Sequence, residues 1–191
     1  MPLYIASQLG HAGVVKVLLQ KGARADLARY NGFTPLYIAS KNGHTEVAKV
    51  LLEGAGARVN EAAANGFTPL YISSEKGHAE VVEVLCQGGA RVNEAASNGA
   101  TSLYIASQQG HTEVVEVLTS CGARVDQANS GGVTPLLVAS YAGHVGVVKT
   151  LLQEGARADQ AAPDGTTPQL IAGQMGHVEV VKVLTQASTS G

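Results

Sequence analysis

A Gly-His dipeptide recurs along the chain and limits the possible fold more than any other feature. Successive copies are separated by 33, 34, 33, 33 and 33 residues, and they lie at Gly10-His11, Gly43-His44, Gly77-His78, Gly110-His111, Gly143-His144 and Gly176-His177. A constant period between about 20 and 50 residues is the signature of a repeat protein, in which each unit buries its apolar face against its neighbours. The sequence therefore predicts a stack of similar units over its whole length.

Each unit has the markers of two short helices. Thr precedes Pro at the start of the first helix in four units, which suits an N-cap oxygen followed by a residue already fixed at a helical φ; these threonines are Thr34, Thr68, Thr134 and Thr167. The Gly of Gly-His is placed to end this helix in a left-handed conformation. The second helix has Glu in its first turn, as at Glu46, and an apolar face formed by Val47, Val50 and Leu51.

A second glycine and a turn dipeptide complete the unit. Gly56, Gly89, Gly122 and Gly155 are expected to end the second helices. The connections that follow contain dipeptides that accept positive φ and mark a tight hairpin turn: Asn31-Gly32, Asn65-Gly66, Asn98-Gly99, Gly131-Gly132 and Asp164-Gly165. One extra residue, within residues 53–56, lies at a helix end, where an insertion is tolerated. Each unit is predicted to be helix, turn, helix and β-turn.

Composition agrees with such a stack and excludes several kinds of protein. Apolar residues make up 45% of the chain, but aromatic residues only 4%, which suits a core of Ala, Val and Leu. The net charge of −2 argues against nucleic-acid binding, which needs a surplus of basic side chains. Polar residues and Gly interrupt every Val/Leu stretch, so we expect no membrane span.

The 33-residue period closely resembles the ankyrin repeat through Thr-Pro-Leu-x-x-Ala, Gly-His-x-Glu-Val-Val and Gly-Ala. The resemblance covers the whole chain and implies an all-α solenoid of stacked helix-turn-helix units joined by β-hairpin turns. We expect a single array over residues 1–191. Its six repeats are predicted at about 1–28, 29–62, 63–95, 96–128, 129–161 and 162–191.

Three departures from the family pattern bear on function. Tyr4, Tyr37, Tyr71 and Tyr104, then Leu137 and Leu170, replace the family's His after Thr-Pro-Leu, and we expect half-buried rings with hydroxyls facing polar groups. An Arg replaces the family's Asp once per repeat, about 10 Å apart, at Arg24, Arg58, Arg91, Arg124 and Arg157. This row either binds an anionic partner or, as we favour, pairs with local carboxylates such as Asp26, Glu61, Glu94, Asp126 and Asp159.

The terminal repeats and the fourth repeat also differ. Ser102 replaces the expected Pro, which predicts a less rigid helix start. Gln169, Gly173 and Thr185 make the last repeat more polar, as expected of a unit that closes a solenoid near Gly191. Met1 occupies the position of the N-cap Thr, so the first repeat is predicted to be uncapped.

No catalytic or metal-binding pattern emerges. One His per repeat is too widely spaced for a shared metal ion, and the sequence has no dinucleotide loop or Walker lysine. Cys86 is expected to be a small buried apolar residue and Cys121 to lie near a helix end, both without a disulfide. We predict a protein that is not an enzyme and has no cofactor.

The family resemblance implies that a partner contacts the hairpin tips and the exposed side of the first helices, which form a concave surface. Carried over by register, the candidate partner-binding residues are Tyr30, Asn31, Phe33, Lys41, Asn65, Phe67, Glu75, Lys76, Ala100, Gln108, Val133 and Tyr141. Phe33 and Phe67 have two open interpretations: solvent-facing anchors for a partner, or covers that fold against adjacent hairpins.

We therefore predict a non-catalytic scaffold or adaptor module that binds a protein partner, without nucleic acid or membrane. A structural spacer within a larger repeat protein is the alternative, and an anion-binding Arg row is a weaker one. We expect a monomer that associates end to end through its uncapped first repeat. The expected location is intracellular and cytoplasmic, with the nucleus as the alternative.

Overall fold

A computed structural model describes residues 1–189, without the side chains of Ala55 and Thr189. The predicted end of the last repeat, at residue 191, lies outside the described residues. The described chain forms twelve α-helices and no extended strand, which confirms the all-α prediction; the one isolated β-bridge in this part joins Ala95 and Thr101. The chain divides into two compact units, Met1–Val92 and Asn93–Gly191.

The first unit contains three helix pairs. They are α1 (Pro2–Gln8) with α2 (Ala12–Gln20), α3 (Pro35–Lys41) with α4 (Thr45–Ala55), and α5 (Pro69–Lys76) with α6 (Ala79–Gln87). Within each pair the two helices pack together. The first helices form one layer, in which α1 packs on α3 and α3 on α5, while α2, α4 and α6 pack in the same order in a second layer.

The second unit repeats this arrangement. Its pairs are α7 (Ser102–Gln109) with α8 (Thr112–Ser120), α9 (Pro135–Ala142) with α10 (Val145–Gln153), and α11 (Pro168–Gln174) with α12 (Val178–Thr189). Here α9 packs between α7 and α11, and α10 packs between α8 and α12.

The predicted helix boundaries are confirmed at both ends of the first helices. In α3 the Thr34 hydroxyl accepts a hydrogen bond of 3.1 Å from the Tyr37 amide, and Thr68, Thr101, Thr134 and Thr167 cap their helices in the same way. Met1 makes no such bond to α1. The Gly of Gly-His follows each first helix with a positive φ, as at Gly43, where φ is 75°.

The hairpin tips differ in detail from the prediction. In each turn dipeptide only the second residue, a glycine, adopts positive φ, and no described residue other than glycine does so anywhere in the chain. At the first tip the Gly32 amide donates to the Arg29 carbonyl (2.9 Å) and the Arg29 amide donates to the Phe33 carbonyl (2.9 Å). The turn is therefore of type I with a left-handed glycine at its end, so Asn31 keeps an ordinary backbone conformation.

The extra residue lengthens one helix. Helix α4 has 11 residues and ends at Gly56 with φ of 59°, whereas its neighbours α2 and α6 have 9 residues each. The insertion thus adds to the exposed end of a second helix and leaves the packed face of α4 in register.

Both units bury the faces that the apolar spacing predicts. In α4, Val47 and Leu51 of the predicted face are at most 1% exposed, whereas Val50 is half-buried and Ala48 is buried in addition. In α10, Val147, Val148 and Leu151 are fully buried. Such short helices are marginal in isolation, so burial against neighbouring pairs supplies most of their stability.

Candidate interaction surface

The hairpin tips of the first unit are held by backbone hydrogen bonds from one tip to the next. The Ala64 amide donates to the Asn31 carbonyl at 3.0 Å, and within the second tip the Gly66 amide donates to the Ala63 carbonyl at 2.8 Å. A Cβ atom on Gly32 would lie 2.8 Å from the Ala64 nitrogen, so this close approach requires glycine. The tips therefore present their side chains from a fixed backbone.

Tyr30 projects fully into solvent from the first of these tips. Its relative exposure is 110%, the highest of the exposed large apolar side chains. Large aromatic side chains bury much area at little entropic cost and are enriched among the residues that dominate binding energy. Tyr30 thus has the exposure that a partner-binding anchor needs.

Phe33 and Phe67 are half-buried and have packing partners. Phe33 stacks on Tyr37 with ring centroids 4.5 Å apart and an interplanar angle of 6°. Phe67 stacks on Tyr71 at 4.3 Å and 18°. Both rings also pack against a cluster formed by Tyr37, Ala63 and Ile72. They cover the tips, as one of the two open interpretations holds, and each keeps part of its ring on the surface.

The tyrosines that replace the family's His are more buried than expected. Tyr37 is 2% exposed and Tyr104 is 9% exposed. Burial raises the pKa of both phenols, and a hydrogen bond from Asn65 to Tyr37 and from Asn129 to Tyr104 opposes this rise. The hydroxyls therefore face polar groups, as predicted, and these rings belong to the core.

The remaining candidates of the first unit lie at the tips and at the ends of the first helices. Asn31 and Asn65 are exposed, and the Asn65 side-chain oxygen accepts from the Phe67 amide at 3.1 Å. Lys41 at the end of α3 is half-buried. The Lys76 ammonium lies 3.2 Å from a Glu75 carboxylate oxygen. This edge of the surface carries charge, whereas the Tyr30 edge is aromatic.

In the second unit the structure changes the candidate set. Ala100, next to the Ala95–Thr101 bridge in the sequence, is 1% exposed, so its side chain cannot contact a partner as predicted. Gln108 is exposed and Val133 is half-buried. Tyr141, at 51% exposure, is the large exposed side chain of this set.

The histidines are connectors between neighbouring helix pairs. His44 Nε2 lies 2.9 Å from the Gln8 carbonyl, and His177 Nε2 lies 2.9 Å from the Tyr141 carbonyl. A Cβ on Gly10 would lie 2.7 Å from His44 Nδ1, so the ring packs directly on the glycine of the preceding pair. Among the described residues no group of three or more His, Cys, Asp and Glu side chains could hold a metal ion.

Part of the Arg row is paired with carboxylates. Arg24 contacts Asp26 at 3.1 Å, and this hydrogen bond lowers the pKa of Asp26. Arg58 contacts Glu61 at 3.2 Å, and Arg157 contacts Asp126 at 3.6 Å. These three contacts agree with the local pairing that we favour for the row.

One set of structural residues escaped the sequence analysis. The Asn93 side chain donates to the Gly122 carbonyl (3.0 Å) and accepts from the Arg124 amide (2.8 Å), so it joins two successive connections. Asn60 makes the corresponding bonds to Gly89 and Arg91. The recurring Arg-Val-Asn of residues 58–60 and 91–93 was the signal that could have revealed these clamps.

Two smaller sequence predictions can be compared with the structure. Cys86 is half-buried, not fully buried as expected, and neither Cys86 nor Cys121 forms a disulfide. No helix in the described part of the chain is long and apolar enough to span a membrane.

Helix pairs that repeat the same caps, the same histidine connectors and the same tip turns define a helical-repeat protein. A family model described as ankyrin repeats in three copies matches residues 1–63, 54–129 and 121–190. The chain belongs to the ankyrin repeat family, whose fold serves protein–protein interaction and is not catalytic.

Solved structures show the same fold. The ankyrin repeat domain of human ASB11 is 33% identical, with a TM-score of 0.88 over 98% of this chain and 83% of that one. The ankyrin repeat protein EF0377 is 28% identical, with a TM-score of 0.89 over 97% and 96% of the two chains. An ankyrin repeat domain from Acinetobacter baumannii AYE, ABAYE2397, is 29% identical, with a TM-score of 0.89 over 98% and 97%. No match was found among curated proteins.

Proposed function

We propose that this chain is a scaffold or adaptor module that binds a protein partner through its hairpin tips and first helices. The observation that carries the proposal is the full exposure of Tyr30 on a tip whose backbone is held by the hydrogen bonds of its own turn and by one from the next tip. A rigid tip loses little entropy when a partner covers the aromatic ring, so the contact area is converted efficiently into affinity.

In the first unit the proposed surface continues from Tyr30 over the exposed parts of Phe33 and Phe67 to the charged end of the first helices. Its other members are Asn31, Lys41, Asn65, Glu75 and Lys76. In the second unit the corresponding positions are Gln108, Val133 and Tyr141. Tyr30 and Tyr141 are the proposed anchors, because theirs are the most exposed aromatic side chains of the proposed surface.

The remaining parts of the functional prediction are also proposals. The module has no catalytic activity of its own and acts inside the cell, in the cytoplasm or the nucleus. It is a monomer when dilute and associates end to end when concentrated. A spacer without a ligand is the competing function, and the half-buried, stacked rings of Phe33 and Phe67 are the observation in its favour.

The proposal is tested by affinity capture from a cell lysate followed by quantitative mass spectrometry. The wild-type protein is compared with the Tyr30→Ala/Tyr141→Ala variant, which leaves the stacked rings intact. A matched control, Lys16→Ala/Glu53→Ala, removes two exposed side chains from the second-helix layer.

A protein that is captured by the wild type and the control but lost by the tyrosine variant supports the proposed surface. Equal capture by all three proteins contradicts it, and the absence of any enriched protein favours the spacer. Unchanged circular dichroism of both variants ensures that the comparison concerns binding and not folding.

A further inference from the structure

The first helix pair exposes two apolar side chains, Ile5 and Val14, at positions that are buried in the second pair. Ile5 is 52% exposed, whereas its counterpart Ile38 is 5% exposed. Val14 is 51% exposed, whereas its counterpart Val47 is 1% exposed. We call the surface formed by Ile5, His11, Gly13 and Val14 the leading face.

The last helix pair exposes the opposite side of the repeat. Leu170 is 49% exposed, whereas its counterpart Leu137 is 6% exposed, and Val178 is 64% exposed. We call this set the trailing face; it consists of Leu170, Gly176, Val178 and the Gln174 carbonyl.

Contacts inside the units show how such faces fit together. Tyr37, the counterpart of Leu170, packs with Ile72, the counterpart of Ile5, in one buried cluster. The position of Leu170 therefore contacts the position of Ile5 of the next helix pair.

On each of the two faces, one member of the contact between a His ring and a glycine is present without the other member. Gly10, Gly43, Gly110 and Gly143 are each covered by the His ring of the next pair, at 2.6 to 2.8 Å from an added Cβ, whereas Gly176 has nothing within 4 Å. The His11 ring is exposed and makes no hydrogen bond to another described residue. Gly176 and the Gln174 carbonyl thus form a position at which a His ring could pack and donate a hydrogen bond, and His11 is an exposed His of the same repeat position.

A second pair of positions meets in successive helix pairs. A Cβ on Gly146 would lie 2.8 Å from the hydroxyl of Thr112 in the preceding pair, and Glu80, at the position of Gly146, accepts a hydrogen bond of 3.2 Å from Thr45, at the position of Thr112. Gly13 is the counterpart of Gly146 and has open space around it, while Val178 is the counterpart of Thr112. Gly13 leaves the room that the exposed Val178 side chain would need.

We infer that the trailing face of one copy binds the leading face of a second copy, in the geometry of two successive helix pairs. His11 of the second copy donates to the Gln174 carbonyl and covers Gly176, Ile5 packs on Leu170, and Val178 covers Gly13. The inference rests on the end-to-end association proposed above, locates it on both faces, and does not involve the hairpin tips. Because the two faces differ, the contact is heterologous and can add further copies.

The trailing face also limits the strength of this contact. Gln169 occupies the position at which Leu136 is fully buried, and its amide donates to the Thr185 hydroxyl at 3.3 Å. Desolvating this polar pair opposes association, so we expect a weak, concentration-dependent complex. Gln169→Leu restores the apolar residue of the other pairs and should tighten the association.

Sedimentation velocity over a range of concentrations tests the inference with two complementary variants. Ile5→Asp blocks the leading face and Leu170→Asp blocks the trailing face, so neither variant should associate alone. Their equimolar mixture keeps one intact leading face and one intact trailing face, and should form dimers, twice the 19.5 kDa of one chain, and nothing larger. The wild type should form dimers and longer species.

Further variants protect the test against misfolding. His11→Ala removes the connecting hydrogen bond and the ring that covers Gly176, and should weaken association at least about tenfold. Val178→Glu blocks the trailing face and places a favourable charge in the first turn of α12. These two replace the aspartate variants if circular dichroism shows that either of those is unfolded. In their mixture, the intact leading face of Val178→Glu should pair with the intact trailing face of His11→Ala. Tyr30→Ala should associate like the wild type.

A wild-type protein that stays monomeric at every concentration overturns both the inference and the end-to-end association. Association that persists unchanged in the variants, or a mixture of the blocked chains that forms no dimer, overturns the assigned faces alone. Either result leaves the partner-binding proposal standing, since that rests on the tips.

Discussion

At the residue scale, the Gly-His dipeptide joins neighbouring helix pairs through two complementary features. Glycine ends the first helix with a positive φ and leaves no side chain, so the His of the next pair can lie against its backbone. The ring then donates to a carbonyl two residues before that glycine, as His44 does to Gln8. The dipeptide therefore recurs for packing and not for metal binding.

We expect His44→Ala to lower the free energy of unfolding by about 1–2 kcal/mol, because it removes this hydrogen bond and the ring contact with Gly10. His11→Ala is the matched control, since the same residue there has an exposed ring, and it should change stability by less than about 0.5 kcal/mol in dilute protein. Urea unfolding followed by circular dichroism measures both. Equal effects of the two substitutions would contradict the connector role.

The Asn clamps offer a second test at this scale. Asp126 accepts from the Arg157 amide (3.1 Å), as Asn93 does from Arg124, but a carboxylate has no N–H to donate to the Gly155 carbonyl. Asp126→Asn should therefore raise the free energy of unfolding by about 0.5–1 kcal/mol. The reverse change, Asn93→Asp, should lower it by a similar amount. Chemical denaturation measures the free energy of unfolding of both variants. Changes of the same sign in the two variants would contradict the proposed role of the Asn side chain.

The buried tyrosines predict how stability depends on alkaline pH. Because burial raises the pKa of Tyr37 and Tyr104, the unfolded chain releases these protons first, at a pH near about 10. Their contribution to stability is present below that pH and is lost as the pH rises through the folded-state pKa. Unfolding free energies measured from pH 8 to 11 should fall, and fall less in Tyr37→Phe/Tyr104→Phe. Identical pH profiles of the two proteins would refute this explanation.

At the element scale, replacement by alanine should change stability in opposite directions for a glycine inside a helix and for a glycine that follows one. Gly54 lies inside α4 with open space around its Cβ position, so Gly54→Ala should stabilise the protein by about 0.5–1 kcal/mol. Gly43 has φ of 75°, and an added Cβ would lie 2.8 Å from His78 Nδ1, so Gly43→Ala should destabilise it. Thermal unfolding of both variants checks this pair. Stabilisation by Gly43→Ala would show that the assigned backbone is wrong.

The helices and their limits could be predicted from sequence, because each boundary depends on local chemistry. These signals all lie within one repeat: Thr before Pro at the helix start, Gly before His at its end, and the i, i+3, i+4 spacing of Val47, Val50 and Leu51. The lengthening of α4 could not be predicted, because an insertion between two glycines can extend the helix or the loop equally well.

Contacts between repeats, and the packing at the hairpin tips, were harder to predict than the helices of each repeat. The burial of Ala100, the stacking of Phe33 on Tyr37 and the bonds of Asn93 all depend on groups about one repeat away or on the exact course of a turn. A repeat pattern gives the period of such contacts but not their partners. The candidate surface was therefore predicted by position, and the structure was needed to separate exposed Tyr30 from buried Ala100.

At the scale of the whole molecule, the protein has two proposed interaction surfaces of different kinds. The hairpin tips and first helices are proposed to bind a different protein, and the exposed faces of the first and last helix pairs are proposed to bind further copies of this chain. The two surfaces share none of their assigned residues, so variants of one serve as controls for the other.

The most direct test of the central claim is site-specific photo-crosslinking to the captured partner. Benzoylphenylalanine is placed at Tyr30, at Tyr141 and, as a control, at Glu53 on the exposed end of α4. If Tyr30 and Tyr141 are both anchors for the partner, positions 30 and 141 should crosslink to the same protein and position 53 should not. Crosslinking from position 53 with none from positions 30 and 141 would contradict the proposed binding surface.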